Sequence, residues 1–447
     1  MRIIPGSPFR LWLPAIAVLL AGVGALLTSS AIHASPTAPV TRSTASDGAA
    51  YDLFGSALAL SGDTLVVGAF NATIGDNNAQ GAAYVYERDS GSAWKQVAKL
   101  VAPDGAADDW FGAVVALSDT TIVIGAPWAD VGGQSDQGAA YMFERNQGGD
   151  GNWGWVKKLI AADGAADDWF GSALAISSDT LAAGAYFADI ADQGDQGAVY
   201  IFERDQGGTN DWGQARKLVA ADGAADDWFG AALSIGGDIL AAGAPSTNSF
   251  QGATYIFSRN LGGAGNWGQM IKLSASDGAE GDGFGNAVAL DGDTLVAGAP
   301  FAEIGSNGDQ GAAYIFERNL GGENAWGEVI KLAGSDSEAD EWFGASVTIA
   351  GEVLAIGAPY ADPGDNLDQG AAYTFQRNLG GTNVWGQMAK LAAWDGTAED
   401  RFGTSLSVDS GTLAAGAPYA DVGKNPDQGA AYIYQIANSI YLPLVVK

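Results

Sequence analysis

The chemistry open to this chain is carboxylate chemistry. Aspartates recur in fixed sets: Asp104, Asp108 and Asp109 in "PDGAADDWFG" (103–112), Asp163, Asp167 and Asp168 in "ADGAADDWFG" (162–171), and that second decamer again at 221–230. Another series stands six residues apart, as Asp130/Asp136, Asp189/Asp195, Glu303/Asp309, Asp362/Asp368 and Asp421/Asp427. Such oxygens could hold calcium, which takes about six to eight of them at about 2.3–2.6 Å. They could also flank a glycosidic bond as two carboxyls roughly 5–10 Å apart.

Other chemistries are closed. The 447 residues include no cysteine and one histidine, His33. His33 lies in the first 34 residues, which read as an export signal. Arg2 and Arg10 form its basic start, "LWLPAIAVLLAGVGALL" (11–27) its apolar core, and a small-residue cleavage site follows Ala31 or Ala34. That core is interrupted by proline and falls short of the roughly 20 residues of a membrane span, so a cleaved signal is preferred to an anchor. Cleavage leaves neither His nor Cys, which excludes Ser-His-Asp triads, Cys-His pairs and histidine-ligated metals. It also leaves 19 basic against 52 acidic residues, a net charge of −33. Phosphates want Lys and Arg, so nucleic acid is excluded as a partner.

The elements that must position the acids repeat. Phe-Gly occurs at Phe54, Phe111, Phe170, Phe229, Phe284, Phe343 and Phe402, in steps of 55 to 59 residues. Gly-Ala follows each 14 residues later, then Gln-Gly 13 residues on, or nine in the fourth copy. Each unit reads as four short strands: "GSALAIS", "TLAAGAP", "GAVYIFER" and, after a glycine-rich turn, "QMAKLAA". The first two are rich in Ala and Gly, the last two in Tyr, Phe and Lys, as suits strands that run from a crowded axis to an open rim. The expected fold is all-β, a seven-bladed β-propeller of four-stranded blades over 35–436, with a short tail at 437–447. The last copy lacks its fourth strand. Residues 40–48, "VTRSTASDG", align with a fourth strand and are expected to close the ring beside 430–436; the tail is the rival candidate.

The Phe-Gly … Gly-Ala-Pro pattern resembles the FG-GAP repeat, the unit of the integrin α-subunit head and of many exported bacterial proteins. The resemblance covers essentially the whole mature chain. It implies that the Phe packs between blades and that the glycines let blades approach. Integrin-like repeats often carry a calcium loop of the D-x-D-x-D-G type between the first two strands. Here those turns read "SGDT", "SDTT", "SSDT", "GGDI", "DGDT", "AGEV" and "DSGT", without three spaced carboxylates, so that site is not carried over.

Alternate loops of a blade fall on opposite faces. The inter-blade connections and the loops between strands two and three therefore share one face, with 34 of the 52 acids and only Arg401 and Lys424 against them. If calcium binds, the expected positions pair a connection with its own blade's loop: Asp108, Asp109, Asp130 and Asp136, and likewise Asp167, Asp168, Asp189 and Asp195. Trp128 and Trp394 break the repeat on this face. With Arg401, Asp362, Asp368, Asp421 and Asp427 they are the expected ligand contacts. Trp153, Trp212, Trp267, Trp326 and Trp385 hold one repeated position and read as packing. "NAT" (71–73) is a glycosylation sequon that matters only in a glycosylating host, and "GAGNWG" (263–268) is a hairpin turn, not a dinucleotide loop. The expectation is a secreted or cell-surface, non-catalytic binding or adhesion module for a protein or glycan, with no cofactor beyond possible calcium. A carboxylate-pair glycosidase and a purely structural surface protein are the alternatives. Near-equivalent blades offer no single asymmetric catalytic pair.

Overall fold

The computed structural model describes residues 41–436; the expected signal (1–34) and tail (437–447) lie outside them. Seven four-stranded antiparallel sheets follow one another along this chain. The second is typical: Val114–Ser118, Thr121–Ala126, Ala139–Arg145 and Trp153–Leu159, paired in that order. The tight turn between its first two strands pairs Ser118 with Thr121.

Strand two is buried at every position in all seven blades. A strand covered on both faces needs small or branched apolar side chains, which "TIVIGA" and "TLAAGA" supply. Each blade interface then holds its own apolar core. Between blades two and three, Val123, Met142 and Leu159 meet Phe170, Leu181 and Tyr200. Phe170 is fully buried, and Tyr200 and Phe202 lie edge-on to it at 5.6 and 5.9 Å. The glycine of Gly-Ala sets how closely blades approach. A Cβ on Gly125 would sit 2.2 Å from the carbonyl oxygen of Gly171 in the next blade.

The ring closes as the alignment of its ends requires. Thr41–Ser43 forms the outer strand of blade seven, with Thr41, Arg42 and Ser43 opposite Ile433, Tyr432 and Ala431. Arg42 donates to Asp395 at 2.8 Å.

On the face away from the connections, a second set of ties joins the blades. The arginine ending strand three reaches back to the glutamate of the preceding blade: Arg145–Glu87, Arg204–Glu144, Arg259–Glu203 and Arg377–Glu317. Each guanidinium also covers the repeated tryptophan, as Arg204 does Trp212 at 5.0 Å. Those tryptophans are buried, so packing is their role. Blade four has Ser258 in place of the glutamate, and Arg318 turns instead to Asn324.

Candidate functional site

The connection entering each blade runs along the strand-two-to-three loop of the blade before it. The Asp108 N–H donates to the carbonyl of Asn78 at 2.9 Å, Trp110 to Ala79 at 3.2 Å, and Phe111 to Gln80 at 2.9 Å. Both loop sets thus lie on one face, as the alternation of loops requires. The acids are grouped in part as expected, since the charges of Asp130 and Asp189 act on Asp109 and Asp168 of their own blades, and in part across blades. Asp167 donates its N–H to Ser135 at 2.9 Å, beside Asp136, so the loop of blade two meets the connection into blade three. Asp108 lies against blade one's loop, where Asn78 stands. The reason is the path of the chain: a connection must cross to the new blade before its acids reach the axis.

Three of the repeated carboxylates have structural work within the face. The first aspartate of a connection clasps the next blade. Asp104 accepts from the Tyr141 hydroxyl and the Lys158 ammonium, each at 2.8 Å. Asp277 repeats this with Tyr314 and Lys331, and Asp336 with Tyr373 and Lys390. The last aspartate caps its own turn. Asp109 accepts from the Ala106 N–H at 2.8 Å and Asp168 from Ala165 at 2.8 Å, and both are buried. The first aspartate of each two-to-three loop closes that loop, as Asp130, Asp189, Asp362 and Asp421 accept the N–H of Asp136, Asp195, Asp368 and Asp427. Among the described residues no three carboxylates or histidines are gathered closely enough to hold a metal ion. Of the eight acids expected around calcium, Asp109 and Asp168 cap turns and Asp130 and Asp189 close loops.

These two environments push carboxyls in opposite directions. Burial raises Asp109, Asp168, Asp282 and Asp400 above the ordinary range, outweighing the N–H each accepts. Desolvation, then the charge of Asp167, raises Asp136. At Asp104, Asp163 and Asp277 burial opposes ionisation, but the bonds from lysine and tyrosine prevail and hold the carboxyl low. The raised group binds its proton more tightly when folded, so its charge weakens the fold at neutral pH, and stability returns as pH falls through the folded value. The lowered group stabilises fully above the ordinary aspartate value of 3.8 and loses that stability below it. Melting temperature is thus expected to climb as pH falls from 7 toward about 4, and to drop steeply below. A monotonic decline from pH 7 in a melting series would contradict this balance.

Aromatic residues just before Phe-Gly and at or next to the proline of Gly-Ala-Pro, joined by Phe250, build a feature that sequence reasoning missed. Phe70 meets Trp110 at 4.9 Å, Trp110 stacks on Trp128 at 3.6 Å, and Trp128 meets Trp169 at 5.4 Å. Trp169 continues to Phe187, Phe187 to Trp228, and Trp228 to Phe250. Beyond a break, Phe301, Trp342 and Tyr360 resume the line. Arg401 extends it as a cation, its guanidinium 4.7 Å from the Tyr360 ring and 4.6 Å from Tyr419. The break falls at Gly283, which has no ring to offer, and a cavity of about 360 Å³ opens there between Phe187, Trp228, Phe250 and Phe301. The signal was present in "DWFG" and "EWFG", where tryptophan precedes Phe-Gly at 110, 169, 228 and 342. Trp128 and Arg401 belong to this belt. Trp394 does not; it packs edge-on against Tyr432 at 5.0 Å and is 55% exposed.

A closed ring of seven blades, with an acidic loop face and an aromatic belt set into it, defines a β-propeller. The FG-GAP repeat family matches seven times, at residues 40–86, 94–143, 153–202, 212–257, 267–316, 326–375 and 385–434. The chain belongs to the FG-GAP repeat family. No curated protein gives a match to it. Among the described residues no helix is long and apolar enough to cross a membrane.

Proposed function

We propose that this protein is an exported, non-catalytic binding or adhesion module that takes a protein or glycan ligand on its acidic face. The observation that carries the reading is the aromatic belt. Partly exposed Trp110, Trp128, Trp169 and Trp228 form an apolar platform on the face that carries the carboxylates, and large rigid rings gain contact area at small entropic cost. Catalysis by a carboxylate pair finds less support, since the clasp and cap roles recur from blade to blade and engage the acids with backbone, lysine and tyrosine. Calcium enters this reading through the negative potential of the face, which draws cations without a cage.

The test is a protein and glycan array probed with the chain and with a Trp110→Ala/Trp128→Ala variant, each with and without calcium. Ligands captured by the parent are expected to be lost by the variant, at least tenfold in apparent affinity, and to be the same set in both conditions. Near-native circular dichroism of the variant separates loss of contact from loss of fold. Undiminished capture by the variant, or turnover of a glycoside by the parent, would overturn the reading.

A further inference from the structure

The residue just before Phe-Gly does one job around the ring, and blade five lacks it. Tryptophan stands there at 110, 169, 228 and 342, Leu53 and Arg401 in two other blades, and Gly283 in blade five. The tryptophan fills the space between rings of two neighbouring loops. Trp169 meets Trp128 at 5.4 Å and Phe187 at 4.7 Å, and Trp342 meets Phe301 at 5.0 Å and Tyr360 at 4.3 Å. Arg401 fills the same space with a cation, between Tyr360 and Tyr419, and its Nε is buried without a hydrogen-bond partner. Two rings hold that charge. At Gly283 the space stays open, although φ there is +67°, close to the +57° to +60° of the four tryptophans.

That space is the cavity of about 360 Å³ at the break in the belt. Tyr186, Phe187, Trp228, Phe250 and Phe301 line it, and no charged side chain does. Blade four supplies its ring by an unusual route. Its strand-two-to-three loop reaches Gln-Gly in nine residues instead of 13, and Asn248, Ser249 and Phe250 take φ of +54°, +59° and +64°. Three such residues in a row are costly. Here they carry Phe250, 39% exposed, to the cavity, where its carbonyl accepts the Gly283 N–H at 2.7 Å. Five rings on an acidic face favour a cation that brings its own apolar surface. A primary ammonium needs acceptors for three N–H groups, and this lining offers no carboxylate. A trimethylammonium group has no N–H to satisfy, and its methyl groups bury against the rings that attract its charge.

We propose that this cavity binds a trimethylammonium group, such as choline or a trimethylated lysine side chain bears. The proposal deepens the binding function above, and rests on it, by giving the belt a ligand chemistry at its break. Isothermal titration of the chain with choline and with Nα-acetyl-Nε-trimethyl-lysine methylamide tests it and separates the two sources. At least one probe is expected to bind saturably, about tenfold or more tighter than its unmethylated amine and than its neutral analogue with carbon in place of the nitrogen. Gly283→Trp, which returns blade five to the pattern of its neighbours, is expected to abolish that binding, and Phe250→Ala to weaken it about fivefold or more. Circular dichroism checks the fold of each variant, and the probe comparisons on the parent chain stand without them. Equal binding of the unmethylated or neutral probes, undiminished binding by folded Gly283→Trp, or no binding of either quaternary probe would overturn the proposal. Trp110 and Trp128 lie outside the cavity, so the Trp110→Ala/Trp128→Ala variant is expected to keep the quaternary probe while it loses array ligands. Array capture retained by Gly283→Trp would leave the belt's function standing, so the two readings fail separately.

Discussion

Gly138→Ala is expected to destabilise the protein by about 3–5 kcal/mol, whereas Gly132→Ala, six residues earlier in the same loop, is expected to lose about 1 kcal/mol. Both glycines have positive φ, +87° and +61°, so both substitutions strain the backbone. They differ in what a methyl group would meet. At Gly132 there is nothing within 4 Å. At Gly138 the Cβ would sit 2.2 Å from the carbonyl oxygen and 2.5 Å from the nitrogen of Phe170, backbone atoms of the next connection. That connection cannot yield easily, because the Phe170 N–H is bonded to Gln137 at 2.8 Å and its ring is fully buried in the interface. Urea titration of the three chains measures the difference directly. Equal losses would mean that the Gln-Gly turn does not set the blade spacing.

Removal of the closing strand has the other large expected effect. A chain beginning at Ala45 loses the three pairs between Thr41–Ser43 and Ala431–Ile433, the Arg42–Asp395 ion pair, and the bond from the Tyr86 hydroxyl to the Thr44 carbonyl. These groups together contribute roughly 3 kcal/mol, or about 5 °C or more in melting temperature. The larger consequence is the bare edge of blade seven, which can pair with another chain. Light scattering is expected to show concentration-dependent association of the truncated chain, reversed by a peptide of residues 40–48. A truncated chain that stays monomeric with unchanged melting would show that ring closure rests elsewhere.

The blades were legible because Phe-Gly, Gly-Ala and Gln-Gly recur at spacings that geometry must keep. The ring closure was legible for a related reason: blade seven lacks a strand, and residues 40–48 match what is missing. The division of acids between faces followed from loop alternation alone. What each acid does was not legible. Asp104 and Asp109 are five residues apart in one turn, yet one reaches Tyr141 and Lys158 and the other the Ala106 N–H. Only the fold decides which donors face them. The partnership of Asp136 with Asp167 was hidden for another reason, since it crosses a blade boundary that spacing within a unit does not show. The belt was hidden by attention to charge, although four of its tryptophans stand directly before Phe-Gly.

The closing strand also decides how the molecule answers to force. The chain enters the disc at Thr41 and leaves it beyond Gln435, on neighbouring antiparallel strands whose free ends lie at the same end of the pairing. Tension between the two termini therefore does not shear the sheet across several hydrogen bonds at once. It peels Thr41 from Ile433 first, then Arg42 from Tyr432, then Ser43 from Ala431. A disc held through one terminus bears load along a single path into blade seven. A disc held through both would open like a zip at that seam while the other six blades remained closed.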